Sequence, residues 1–216
     1  MKIKHIISFF MVAVIGLVAL FSFNYSETTL GGYAIGDEAA NIHLMNVDRT
    51  MVSYDGFPDA LGFIVIFTCN TCPYAVASED RIIALDQEFK EKGYPVIAIN
   101  PNNPDVQPAD SFELMQKKAA DKGFTFPYLY DKSRTVYAQY GARKTPHVYL
   151  LQKENDTSTG SATEKLIVKY IGAIDDNVRN GAAVKDRFLA NAVYELLEGK
   201  EVSVKETKAI GCSVKV

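Results

Sequence analysis

The sequence predicts an α/β protein with a central mixed β-sheet and helices on both faces. Residues 63–67 form an uninterrupted apolar run of β-branched and aromatic side chains, as in a strand buried on both faces of a sheet. Strand-like and helix-like segments then alternate before a final pair of strands and a closing helix. With 48% hydrophobic and 23% charged residues, the composition is that of one globular domain with a sizeable core.

The first 26 residues predict a membrane-targeting segment that is separate from the fold. Lys2, Lys4 and His5 precede residues 6–23, which contain no charged side chain. This stretch is long for the core of a signal peptide and just sufficient for a spanning helix. We expect residues 1–26 to be a removed signal peptide or an uncleaved membrane anchor, and the lack of a clean cleavage site favours the anchor. Either way the domain is expected to be exported, and so periplasmic or otherwise extracytoplasmic.

Residues 27–200 form the predicted domain, which begins with a β-hairpin. Apolar and polar side chains are interspersed over residues 42–54, and residues 47–50 predict the turn of a hairpin that covers one edge of the sheet. The buried strand then leads directly into a helix, since Pro73 is tolerated in a first helical turn. Residues 95–99 predict a second buried strand, which follows that helix.

The second half of the domain continues the alternation. Three prolines in residues 100–108 predict a loop. Asp110 and Glu113 predict a capping box for a helix that ends at Gly123. The remaining predicted elements are a strand at 126–130, a short helix at 133–140, a strand at 147–151, an exposed tip at 152–165, a strand at 166–171 and a closing helix that ends at Gly199.

Cys69 and Cys72 lie between the end of the buried strand and the start of the helix. The first turn of a helix leaves N–H groups unpaired and carries the positive end of the dipole, and both favour a thiolate. A free cysteine with a pKa of ~8.5 is only a few per cent ionised at neutral pH. A second cysteine three residues away can attack a mixed disulfide formed at the first. The spacing therefore predicts thiol–disulfide exchange, with Cys69 as the exposed nucleophile and Cys72 as the resolving thiol.

Net charge and cysteine count argue against two classes of protein, nucleic-acid-binding proteins and disulfide-stapled scaffolds. A net charge of −3 without a clustered basic stretch argues against a nucleic-acid partner. Three cysteines are too few for a disulfide-stapled scaffold. The third, Cys212, belongs to a predicted C-terminal tail over residues 201–216. It is either a small buried residue or a third redox thiol that reaches back to the pair.

Cys69-Asn-Thr-Cys72 lies at a predicted strand-to-helix turn, Thr145-Pro146 precedes a predicted hairpin, and another hairpin is predicted at the start of the domain, over residues 35–54. Together these motifs resemble the thioredoxin-like superfamily, and within it the redoxin branch of the alkyl hydroperoxide reductase and thiol-specific antioxidant type. The similarity spans roughly residues 35–200. It implies a redox-active disulfide, no cofactor, and protein dithiols or disulfides, or peroxide, as partners. It also implies a cis peptide bond at Pro146, with the backbone of Thr145 presented to a bound peptide.

Three departures from the family leave alternatives open. Thr68 stands where relatives have tryptophan. The strand before the cysteines lacks the acidic residue that assists proton transfer in thioredoxins, a role that Glu79 or a water molecule could fill. The pair Cys72-Pro73 is similar to the Cys-Pro of peroxiredoxins. A peroxiredoxin-like thiol peroxidase is therefore an alternative, with Cys72 or Cys69 oxidised by peroxide and Arg143 holding the thiolate.

A second alternative is a copper- or zinc-binding protein of the same fold. Cys69, Cys72 and His147 would be the ligands, since thiolate and imidazole suit both metals. One C-x-x-C motif supplies only half of a structural zinc site. The leading interpretation requires no metal.

Overall fold

The computed structural model describes residues 31–156 and 163–216 of the 216-residue chain. The predicted targeting segment, residues 1–26, lies outside the described residues, as does the centre of the predicted tip at 152–165. No helix in the described ranges has the length and apolar character needed to cross a membrane. The described strands are β1 (Glu38–Ala39), β2 (Leu44–Asn46), β3 (Met51–Val52), β4 (Gly62–Phe67), β5 (Val96–Asn100), β6 (Tyr128–Tyr130), β7 (Lys144–Thr145), β8 (His147–Asp156), β9 (Thr163–Gly172) and β10 (Cys212–Ser213). The α-helices are α1 (Pro73–Val76), α2 (Glu79–Phe89), α3 (Phe112–Lys122), α4 (Thr135–Tyr140) and α5 (Phe188–Leu197).

Within the described residues, the main sheet has eight strands in the order β1-β9-β8-β4-β5-β6-β2-β3. Strands β4, β5 and β6 run parallel, whereas β8 pairs antiparallel with β4, so the sheet is mixed as predicted. The predicted N-terminal hairpin is present as β2 and β3, and β2 pairs antiparallel with β6 and so covers that strand. Strands β7 and β10 form a separate two-stranded ladder.

Two apolar cores cover the faces of the sheet. Alternate residues of β4 point into different cores, Ile64 into one and Val65 into the other. The first core is closed by α2, α3 and α5. The second is closed by α4 together with residues 33–60. Because β4 is covered on both faces, all six of its residues are buried. Helices on both faces confirm the predicted architecture.

The hairpin of β8 and β9 is longer than predicted. Residues 152–156 and 163–165, predicted as part of an exposed tip, continue the two strands, and Gln152 pairs with Ile167. Pairing across the hairpin overrides the polar composition, because an antiparallel strand can present polar side chains to solvent.

The helix after the cysteines is interrupted. Helix α1 ends at Val76 and α2 starts at Glu79. At the break, the Ser78 hydroxyl donates to the Tyr74 carbonyl oxygen at 2.9 Å. Such side-chain bonds compete with the backbone bonds that would continue one helix.

The predicted capping box at Asp110 is wrong. The N-cap of α3 is Ser111, whose hydroxyl accepts a hydrogen bond from the Leu114 N–H at 3.4 Å. Asp110 instead ends a short 3₁₀ turn and is completely buried. Its carboxylate turns inward because buried donors of the cysteine turn face it.

Candidate active site

Both residues of the dithiol lie at the carboxyl end of β4. The Thr68 N–H donates to the Ile99 carbonyl oxygen at 2.8 Å, which continues the pairing with β5 up to the cysteine turn. Cys72 is the N-cap residue of α1, and Pro73 is its first residue. Each cysteine is only 4% exposed, and both are free thiols. The predicted strand-to-helix placement is therefore present.

Thr145 contacts both sulfur atoms. Its hydroxyl lies 3.4 Å from Cys69 Sγ and its carbonyl oxygen 3.1 Å from Cys72 Sγ. The Thr145–Pro146 peptide bond is cis, as the resemblance implied. The Thr145 backbone, which the resemblance predicts to bind a peptide, therefore lies in β7 directly beside the dithiol.

Hydrogen bonding makes the two thiols unequal. The Cys69 and Cys212 thiols and the Ala75 and Cys212 N–H groups donate to Cys72. The Cys69 thiol contributes most to lowering the pKa of Cys72 to about 4. Burial opposes this ionisation, but these donors outweigh it. The pKa of Cys69 is raised by its bond to Cys72, by burial and by the negative charge of Asp110. These bonds favour the thiolate at Cys72 over Cys69. The sequence predicted Cys69 as an exposed nucleophile, but the residue is buried.

Asp110 is the buried carboxylate of the site, and the sequence analysis missed this role. Oδ1 accepts from the Asn70 N–H at 2.8 Å, and Oδ2 accepts from Asn102 Nδ2 at 2.6 Å. The Thr71 hydroxyl is 3.4 Å from Oδ1. Asp110 therefore holds both residues between the cysteines. The available signal was its position after β5, because the carboxyl ends of parallel strands lie at one edge of the sheet.

Glu79, considered as a proton acceptor, is engaged elsewhere. Its carboxylate forms ion pairs with Lys118 at 2.8 Å and Lys122 at 3.0 Å on α3. These lysines compensate the buried charge. Asp110, by contrast, acts electrostatically on Cys69.

Arg143 and His147 lie beside a different part of the site. The His147 ring packs on Tyr149, and its Nδ1 accepts from the Arg143 N–H at 3.4 Å. Burial, followed by the charge of Arg143, lowers the pKa of His147 to about 4. Among the described residues, no group of three or more His, Cys, Asp and Glu side chains could hold a metal ion. The copper or zinc alternative gains no support from this part of the chain.

Cys212 comes from the far end of the chain to the dithiol. Its N–H donates to Cys72 Sγ at 3.4 Å, and its side chain packs against the two cysteines and Ala75. Burial and its hydrogen bond with Cys72 raise the pKa of Cys212 to about 11. The residue is half-buried, and the structure groups it with the redox pair.

A mixed sheet with a dithiol at the end of a central parallel strand, beside a cis-proline loop, defines a thioredoxin-like protein. The chain belongs to the AhpC/TSA family, whose model matches residues 35–168. This membership confirms the family resemblance and fold class predicted from the sequence, and it supports an oxidoreductase.

Three individual proteins are similar to this chain in sequence or structure. The thiol-disulfide oxidoreductase ResA of Halalkalibacterium halodurans is 26% identical over 143 residues, which are 64% of this chain and 76% of ResA. An uncharacterised conserved protein of Geobacillus kaustophilus superposes with a TM-score of 0.75 at 32% identity, covering 85% of this chain and 93% of that one. A hypothetical protein of Sinorhizobium meliloti superposes at 0.74 and 28% identity, with coverages of 86% and 96%.

Proposed function

We propose that this protein catalyses thiol–disulfide exchange through the Cys69 and Cys72 couple. The observation that carries the proposal is the stabilised sulfur of Cys72 at the start of α1, with the Cys69 thiol as its hydrogen-bond donor. The similarity to a protein named as a thiol-disulfide oxidoreductase supports the same reaction class.

The exchange follows from the unequal thiols. The Cys72 thiolate attacks a disulfide of a partner, forms a mixed disulfide and releases one partner thiolate. Cys69 then loses its proton and attacks Cys72 Sγ, which expels the second partner sulfur as a thiolate that takes up the proton. Two electrons pass from the couple to the partner, and a Cys69–Cys72 disulfide remains. The reverse sequence oxidises a partner dithiol. This mechanism reverses the roles that the sequence suggested.

The surrounding residues have supporting roles in this proposal. Thr145 and Pro146 form the binding edge for an extended peptide of a protein partner, and Thr68 fixes the start of the cysteine turn. Asp110 is a positioning residue that holds the turn through Asn70.

We infer the domain organisation and location from the sequence. Residues 1–26 direct export, residues 27–200 carry the redox domain, and the tail over 201–216 carries the third thiol. The partners are then exported proteins, in the periplasm or an equivalent compartment. The membrane is contacted through the first segment if that segment is not cleaved.

Trapping experiments test the exchange and its direction of attack. Cys69→Ser and Cys72→Ser are each made in a Cys212→Ser background, so that one redox thiol remains, and each full-length protein is incubated with a disulfide-containing protein. We expect Cys69→Ser to accumulate a mixed disulfide through Cys72, and Cys72→Ser to accumulate none. The opposite pattern would restore Cys69 as nucleophile. Absence of any mixed disulfide in both variants, together with no disulfide reductase activity in the wild type, would overturn the function.

A second candidate is a thiol peroxidase with an antioxidant role. Cys72 is the N-cap residue of α1 and directly precedes Pro73. Its lowered pKa favours the thiolate, which is the form that attacks peroxide. Cys72 would become a sulfenic acid with release of one water, and Cys69 would condense with it to a disulfide with release of a second. The raised pKa of Cys69 argues against Cys69 as the peroxidatic residue. The exposed Arg143 acts on His147, so its predicted contact with the thiolate gains no support.

Peroxide consumption separates the two candidates. The Cys69→Ser, Cys212→Ser protein is treated with stoichiometric peroxide, and the oxidation state of Cys72 is read by mass spectrometry. Rapid formation of a sulfenic acid supports a peroxidase. Slow oxidation, no faster than that of a free thiol, leaves disulfide exchange as the function.

A further inference from the structure

The C-terminal tail lies across the dithiol as an added strand. Strand β10 pairs antiparallel with β7, in a register that places Cys212 opposite Thr145 and Ser213 opposite Lys144. The Val214 N–H donates to the Arg143 carbonyl oxygen at 3.3 Å and extends this pairing.

The other side of the tail is fixed to the loop after β5. The Lys215 N–H donates to Asn102 Oδ1 at 2.9 Å, and the Asn103 N–H donates to the Lys215 carbonyl oxygen at 2.7 Å. Asn102 is also bonded to Asp110, the carboxylate that holds the cysteine turn. The tail therefore bridges β7 and the Asp110 loop and covers the entrance to the cysteines.

Gly211 shows how closely the tail approaches the binding edge. A Cβ atom at this position would lie 2.3 Å from the Thr145 carbonyl oxygen and 3.1 Å from the Pro146 nitrogen. Only a residue without a side chain allows this approach.

The tail takes the place that a partner peptide would take. An extended peptide binds a sheet edge through main-chain hydrogen bonds, and one edge accepts one strand at a time. The tail already forms this pairing beside the dithiol, and it carries a cysteine at the position nearest to Cys72. The Cys212 N–H lies 3.4 Å from Cys72 Sγ, and the two side chains are in contact.

We propose that residues 211–215 are a built-in peptide partner, and that Cys212 is a third redox residue which forms an internal disulfide with Cys72. This inference rests on the proposed exchange function and adds a second resolving thiol to it. The tail also excludes other peptides from the dithiol until it is displaced.

The internal disulfide forms in two successive exchange steps. The Cys72 thiolate attacks a partner disulfide and releases one partner thiolate. The Cys212 thiol then loses its proton, attacks Cys72 Sγ and expels the second partner thiolate, which takes up that proton. Two electrons have left Cys72 and Cys212 and have reduced the partner disulfide. In the resulting bond Cys72 is the better leaving group, so a new thiolate attacks the more accessible Cys212 sulfur.

Disulfide mapping tests the proposal on the full-length protein. Cys69→Ser is oxidised with a stoichiometric small-molecule disulfide, quenched in acid, digested and analysed by mass spectrometry. We expect a peptide that links Cys72 to Cys212 within one chain as the main oxidised product. The matched variant, Cys69→Ser with Gly211→Ala, keeps both thiols but displaces the strand. We expect its yield of the link to fall severalfold and the alkylation rate of Cys72 to rise severalfold.

Two outcomes would overturn the inference. One is a Cys72 mixed disulfide with the small molecule in Cys69→Ser, with no internal link. The other is an equal yield of the link with glycine and with alanine at position 211. Failure of the exchange function has a different signature, because wild-type protein would then form neither a Cys69–Cys72 disulfide nor any mixed disulfide.

Discussion

Two regions reach the same sulfur atoms in opposite ways. One is the cysteine turn with its flanking β4 and α1, residues 62–76, and the other is the tail over residues 201–216. In the turn, six consecutive buried residues of β4 and the adjoining helix start fix both cysteines locally. In the tail most residues are exposed, and a strand of two residues holds Cys212 through pairing with β7. The difference teaches that the two cysteines are fixed by buried local structure, whereas access to them depends on a surface segment held mainly by main-chain pairing.

Substitution of Gly62 or Gly211, one glycine in each region, should show the largest difference in stability between the two regions. A Cβ at Gly62 would lie 2.1 Å from the Leu151 carbonyl oxygen, much like the 2.3 Å approach at Gly211. Gly62 is clamped inside the central sheet, so we expect Gly62→Ala to lower the free energy of unfolding by on the order of 3 kcal/mol. Most residues of the tail are exposed and few core contacts depend on it, so Gly211→Ala should cost less than about 1 kcal/mol. Urea unfolding measures both, and similar losses would show that the tail is integral to the fold.

Asp110 bonds to Asn70 in the cysteine turn and, through Asn102, is linked to Lys215 in the tail. Replacing its carboxylate by an amide should cause the next largest loss of stability. Asp110→Asn keeps an acceptor for the Asn70 N–H but turns an amide donor towards Asn102 Nδ2. We expect a loss of about 2 kcal/mol in the free energy of unfolding. The pKa of Cys69 should also fall, because the nearby negative charge raises it.

Asp105→Asn is the matched control for this substitution, since Asp105 is exposed on the same loop. In the Asp105→Asn variant, the free energy of unfolding and the pKa of Cys69 should remain as in the wild type. Equal changes in the two variants would remove the specific role of Asp110.

The pKa of Cys72 tests how the cysteine turn stabilises a thiolate. With a pKa of about 4, the thiolate should persist throughout the neutral range, and thiolate absorbance should be lost only in acid. Cys69→Ala removes the main donor, so the midpoint should rise towards the value of ~8.5 for a free cysteine. A wild-type midpoint near that of a free cysteine would contradict the assignment.

The same shift gives the sign of a pH effect on stability. Between the folded pKa of about 4 and the unfolded value of ~8.5, the unfolded chain binds a proton at Cys72 that the folded chain has released. This contribution to stability therefore grows as the pH rises through that window. It is lost as the pH falls through the folded pKa.

The smallest expected effect concerns side chains of the tail. Lys144 Nζ donates to Ser213 Oγ at 3.2 Å on the exposed edge of the β7–β10 ladder. Ser213→Ala should change the free energy of unfolding by less than about 0.5 kcal/mol and leave the yield of the Cys72–Cys212 link unchanged. A loss as large as that of Gly211→Ala would mean that side chains, not main-chain pairing, hold the tail.

Local patterns in the sequence determined the core of the fold and the dithiol. The continuous apolar run predicted β4, the glycine and proline positions separated the elements, and the spacing of Cys69 and Cys72 placed both at a strand-to-helix turn. Such features depend on residues close in sequence, so they could be identified without coordinates. The capping box failed because a local motif at Asp110 competed with distant partners.

Only the tertiary structure decided how the site is completed. Asp110 bonds to Asn70 across 40 positions, and Cys212 reaches Cys72 across 140. These contacts add to the local bond between the two cysteines in making the sulfurs unequal, and they decide which carboxylate acts on the pair and what covers it. The sequence carries each of these residues, but their proximity is created by strand order and edge pairing, which no local pattern encodes.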